Sequence, residues 1–147
     1  MRIFITIFLF FFFQQFIVAG SPCTKCDIEK VKIVNEHLDS LSIQIIRDFL
    51  CTFDSTCAIN AEYSGWSNET LFAVMQKAPT LFFQIIQEGN VNSKQLINEI
   101  ESPVNDLIDL QKTYDELKAG IAETEIKSMY LEAVIFAGKK SNLKIFR

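Results

Sequence analysis

The sequence predicts an all-α fold, an irregular antiparallel bundle of four to six helices that is disulfide-stabilised at its N-terminal part. Two observations lead there. From Ile28 onward the apolar residues recur in steps of three and four, and no run alternates with the period of a strand. All four cysteines, Cys23, Cys26, Cys51 and Cys57, fall in one early stretch.

Residues 1–20 read as a signal peptide and are set apart from the fold. Arg2 supplies a short positive region, Ile3 to Phe13 is apolar apart from Thr6, and Val18-Ala19-Gly20 offers the small residues of a cleavage site. Gln14 and Gln15 interrupt the only window in which a membrane span would fit. Seven of the 14 phenylalanines lie in this leader. Residues 21–147 are then expected to form a single secreted domain with a short basic tail from about residue 139. That mature chain carries 13 basic and 18 acidic residues, a balance that argues against nucleic-acid binding.

The first helical stretch has Ile28, Val31, Val34, Leu38, Leu41, Ile45 and Phe49 on one face, with Asp27 as its cap. Asp39-Ser40-Leu41-Ser42 is the one place where it can break, because Ser and Asp compete for backbone hydrogen bonds. Residues 51–66 read as a loop with a short turn around Ala58–Glu62. A helix is expected from Ser67 through Ala78, and Pro79 either kinks it or begins the next. Gly89 suits a left-handed stop, and Asn92-Ser93 restarts a helix. Ser102-Pro103 is expected to open another, with Val104, Leu107, Leu110, Tyr114, Leu117 and Ile121 as a near-heptad seam. Gly120 is a joint. The last helix should run from about Ala122 to Ala137, with Gly138-Lys139-Lys140 ending it; the same triplet has the composition of a paired-basic processing site.

With a secretory leader, the four cysteines are read as disulfide candidates. An unbroken helix over residues 27–50 would be about 36 Å long and would keep Cys26 from Cys51, since bridged Cα atoms lie within about 7 Å. A turn at Asp39–Ser42 would instead permit nested bridges, Cys23–Cys57 and Cys26–Cys51, around a helical hairpin. Zinc binding by the cysteines, with His37 in reserve, is the competing reading, and the oxidising route disfavours it. A redox C-x-x-C would need a preceding strand, which the pattern lacks. The spacing C-x-x-C, 24 residues, C resembles the first half of saposin-like proteins, whose six cysteines join the first two to the last two and the middle two to each other. The resemblance covers about 35 residues and implies a helical protein that interacts with lipid; no fifth or sixth cysteine follows here.

Asn68-Glu69-Thr70 is the one N-glycosylation sequon, expected on the surface. His37, the only histidine, lies on the polar side of its helix. Carboxylates such as Glu99, Glu101, Asp106, Asp109, Asp115 and Glu116 follow polar helix faces, and no nucleophile elbow, phosphate loop or H-E-x-x-H is present. No catalytic residue, metal or cofactor is expected. The function expected is that of a secreted, non-catalytic binding or interaction protein whose partner is another protein or an apolar small molecule. Phe72, Met75, Phe82, Phe83 and Ile86 form a candidate apolar pocket for a carrier, although an ordinary core has the same composition. The Val104–Ile121 seam is the candidate protein-pairing face. Membrane contact is the less favoured alternative, because the mature chain is acidic.

Overall fold

A computed structural model describes residues 23–147. The expected leader over residues 1–20 lies outside them. Seven α-helices and one 3-10 turn make up the described residues, and no strand occurs among them. The fold is therefore all-α, with one helix more than the upper expectation, because the first helical stretch is two helices.

Helix α1 (Ile28–Glu36) begins where the Asp27 carboxylate accepts the Glu29 amide, and it buries Val31 and Val34. The chain turns at residues 37–42. Helix α2 (Ile43–Leu50) then starts on Ser42, whose hydroxyl accepts the Ile45 amide. Because the break resets the helical phase, α2 buries Ile46, Phe49 and Leu50, while Ile45 is only half-buried. The Asp54 carboxylate caps the 3-10 turn Ser55–Ile59.

Helix α3 (Ala61–Lys77) starts six residues before the expected Ser67. Asn60 takes the capping role, accepting from the Tyr63 amide, and Ser67 lies buried inside the helix. Helix α4 (Pro79–Gln87) opens with Pro79 at its first position and stops at Gly89, which holds φ of 72°. A non-glycine residue is strained there. Helix α5 (Ser93–Ile100) is capped by Asn92.

Residues 101–109 correct the expected helix after Ser102-Pro103. The segment is irregular, and two of its backbone amides are taken by side chains. The Val104 amide donates to Asn68 Oδ1, and the Leu107 amide to Asn105 Oδ1. Such side-chain bonds compete with helix formation. Helix α6 (Leu110–Ala119) begins only at the Asp109 cap, so the near-heptad seam does not exist as one face. Leu110, Tyr114 and Leu117 are buried, whereas Val104, Leu107 and Ile121 are exposed.

Gly120 is the C-cap of α6 and lies close against α4. A Cβ there would sit 3.0 Å from Pro79 Cβ and 3.3 Å from Phe83 Cδ2. Helix α7 (Thr124–Lys140) continues through Gly138 instead of ending on it. The C-cap is Ser141, and Asn142 after it takes φ of 54°, with the Leu143 amide donating to Gly138 O and the Asn142 amide to Lys139 O. This is the six-to-one and five-to-two pattern of a Schellman cap. The tail then folds back, and Ile145 occupies the space beside Gly138.

Helix α3 is central, packing on α1, α4, α5 and α6, while α6 and α7 pair with each other. Two aromatic groups fill the interior edge to face. Phe49, Phe53 and Tyr63 have centroids 5.1 and 6.2 Å apart, and Tyr130 lies 5.2 Å from Phe82 and 6.0 Å from Phe83. Such pairs add about 0.5–1.5 kcal/mol each beyond their burial.

Candidate functional site

The cysteines come together through the bend at residues 37–42, but they do not nest. Cys23 joins Cys51 and Cys26 joins Cys57, with Cα separations of 5.9 and 5.3 Å. The nested arrangement is thus corrected, and the bridges are also not those the saposin-like resemblance implies. Cys26 sits at φ of 55°, and its amide donates to Thr52 O, which turns its side chain past Cys51 towards the 3-10 turn. Cys57 is buried and Cys23 is exposed. Both bridges fasten the start of α1 to the segment after α2, which makes this corner a clamp.

Asn68 is not at the surface. Its side chain is fully buried, and its Nδ2 donates to Glu99 O at 2.9 Å and to Glu99 Oε2 at 3.0 Å. Its Oδ1 accepts the Val104 amide at 3.1 Å. One amide thereby ties α3 to the end of α5 and to the loop beyond. Thr70, the third residue of the sequon, is buried too and accepts from Asn35 Nδ2 of α1. A glycan on Asn68 Nδ2 would displace Glu99, so this packing corrects the expected surface position.

The five residues of the candidate apolar pocket are core. Phe72, Met75, Phe82 and Phe83 are at most 2% exposed and Ile86 is 6% exposed. Surface concavities are built by other residues, among them an open hollow of about 660 Å³ along α7 at Thr124, Glu125, Ser128, Met129 and Glu132. A cleft of about 400 Å³ lies between the 38–41 turn and the 77–81 corner, with the Lys77–Asp39 ion pair (2.9 Å) among its lining residues. A groove of about 200 Å³ lies between the 103–110 segment and the tail at Ser141 and Leu143.

His37 is an exposed residue at the end of α1. Among the described residues, no three His, Cys, Asp or Glu side chains are grouped to hold a metal ion. The named carboxylates are scattered. Glu99 is engaged by Asn68 and Gln95, Asp109 caps α6, and Asp115 accepts from Gln111. The shifted acids and phenols have structural causes. Hydrogen bonds from Arg47, at 2.8 and 3.0 Å, hold the Glu88 carboxyl below its ordinary value and join α2 to the end of α4. Burial pushes the phenols of Tyr63 and Tyr130 up to about 12. Tyr63 is hydrogen-bonded to Thr52, whereas the buried Tyr130 hydroxyl, which faces Ser93, makes no hydrogen bond of good geometry among the described residues.

What the sequence reading did not anticipate is an edge where bulky apolar side chains stand in solvent. Leu107 is 92% exposed at the tip of the 101–109 loop, and Phe146 in the tail is 67% exposed. Leu143 lines the shared groove, and Phe136 is exposed on α7. The tail is held to this edge. Phe146 exchanges two hydrogen bonds with the Gln111 side chain, Arg147 pairs with Glu132, and Lys140 Nζ donates to Glu101 O and Ser102 Oγ. Their exposure follows from the irregular backbone at 101–109 and the turn-back at Asn142, and neither is visible in hydrophobic periodicity.

No protein family, curated protein or solved structure matches this chain. Among the described residues, no helix is long and apolar enough to cross a membrane.

Proposed function

We propose that this chain is a secreted, non-catalytic helical binding protein that engages its partner through its surface. The observation that supports this reading is the exposed apolar edge formed by the 101–109 loop and the tail. Water-exposed Leu107 and Phe146 contribute nothing to the core, while contact with a partner would remove their apolar area from water. The two disulfides suit an oxidising, extracellular setting.

Carriage of an apolar ligand inside the bundle is the weaker reading. The aromatic residues that would line its pocket are packed on one another, with Phe82 and Phe83 centroids 5.5 Å apart.

A photoreactive residue placed at position 107, in protein returned to the fluid it is secreted into, tests the surface reading. Adducts are expected from position 107 and not from the exposed Lys94 of α5. Absence of any adduct from position 107 would remove the proposal. Native mass spectrometry showing a tightly held apolar molecule would transfer the argument to the carrier.

A further inference from the structure

Building on the surface-binding reading, we infer that the partner of this edge is an anionic lipid surface, docked through the 101–109 tip and the tail. Residues 139–147 carry Lys139, Lys140, Lys144 and Arg147 and no acidic side chain, in a chain that is otherwise acidic. Among these cations stand Phe136, Leu143 and Phe146. Two of the aromatics are paired directly with a cation. Lys140 Nζ lies 5.8 Å from the Phe136 ring centre, and Lys144 Nζ lies 5.5 Å from that of Phe146. An apolar ring with an ammonium beside it matches the boundary between acyl chains and anionic headgroups, where the ring enters and the charge stays at the interface.

Carboxylates also face this edge. Glu132 is paired with Arg147, and Glu101 is half-buried, with its backbone carbonyl accepting from Lys140. Exposed acids stand on the loop side, Asp106 beside Leu107, Asp109 at the α6 cap, Asp115 on Gln111 and Glu69 on Asn105, so the positive charge of the edge is confined to the tail.

The geometry favours a lipid over an acidic protein. The bulky side chains protrude singly from a loop tip and a tail. The groove between loop and tail holds about 200 Å³, below the roughly 300–1,000 Å³ of a ligand pocket, and the hollow of about 660 Å³ beside Met129 and Glu132 is wide open to solvent. Single protruding side chains can enter a fluid headgroup layer without a matching surface, whereas a protein interface needs shape complementarity.

Flotation with the disulfide-intact mature protein decides it, using vesicles of phosphatidylcholine alone and of phosphatidylcholine with phosphatidylserine. The protein is expected to float with the phosphatidylserine vesicles and not with phosphatidylcholine alone, and added salt should weaken the association. Lys139→Glu with Lys144→Glu should reduce partitioning by more than about tenfold, given the contribution of each basic residue near an anionic surface. Leu107→Ser with Phe146→Ser should reduce it independently. All four positions are exposed, so circular dichroism and thermal unfolding should match the parent. No flotation, flotation that neither pair of substitutions changes, or binding to immobilised poly-glutamate without vesicle binding would each overturn the lipid assignment. The crosslinking test at position 107 judges the broader surface reading separately.

Discussion

Replacing Asn68 by Ala removes one side chain and three hydrogen bonds that join α3, α5 and the 101–109 loop. The cost follows from what is left behind. The Val104 amide loses its partner, and the Glu99 carbonyl is left with the Ser102 amide at 3.3 Å, at a site where Asn68 itself is fully buried. An unsatisfied buried polar group costs about 1–3 kcal/mol. Glu99 is half-buried, so water can recover part of the loss on its carboxylate. A total of about 3 kcal/mol is therefore expected for Asn68→Ala. Asn68→Asp should cost more, because a buried carboxylate would face the Glu99 carboxylate and carbonyl. Urea unfolding followed by circular dichroism is the direct assay. With a slope of about 1.5–2 kcal/mol per molar, the midpoint should fall by about 1.5–2 M for Asn68→Ala. Asn98→Ala, at an exposed position of α5, should stay within about 0.5 kcal/mol. The same packing predicts that folded protein from a eukaryotic host carries no glycan on Asn68. A midpoint for Asn68→Ala unchanged within error, or a cooperatively folded species bearing a glycan there, would refute the reasoning.

Three further outcomes are expected. Non-reducing peptide mapping should recover Cys23 with Cys51 and Cys26 with Cys57; removing either bridge should cost about 3.5 kcal/mol by chain entropy, for sequence separations of 28 and 31. Recovery of nested peptides would contradict the clamp. Gly120→Ala should destabilise by about 1–3 kcal/mol, since its methyl meets Pro79 Cβ and Phe83 on a packed helix end, and a neutral thermal shift would argue against that contact. Acid should act through Glu88. Its carboxyl is held low in the fold, so its stabilising contribution is present above the ordinary glutamate value of 4.5 and is lost as pH falls through the lower folded value. Relative to Glu88→Gln, the parent should therefore lose stability as the solution is acidified below about pH 4.5, and parallel curves for the two would count against the Arg47 pairing.

Several elements were legible because their signals act over a few residues. Asp27 and Asn92 cap helices that begin immediately after them, and Pro79 opens α4. The break at residues 39–42 was visible in its Ser and Asp content, yet the phase reset that replaces Ile45 with Ile46 in the core was not. Ser67-Asn68 shows how a correct residue preference can mislead. Both residues favour helix starts, but Asn60 has the same preference and lies seven positions earlier, so α3 absorbs them into its buried face. Ser102-Pro103 failed for the opposite reason. Its local start signal lost to Asn68 and Asn105, which captured the Val104 and Leu107 amides.

The sequence by itself determined the all-α class, the spacing of the apolar faces, and the concentration of cysteines at one corner. Those properties depend on periodicity and on caps, which involve neighbours within about one helical turn. Tertiary structure decided which cysteine meets which, because Cys26 reaches Cys57 with its amide held by the carbonyl of Thr52, 26 residues away. It also decided that the sequon is internal, since the partners of Asn68 lie 31 and 36 residues away and no local pattern separates a buried asparagine from an exposed one. The exposed edge has the same origin. Leu107 and Phe146 look like core residues in the chain, and only the backbone paths of the loop and the returning tail leave them in water.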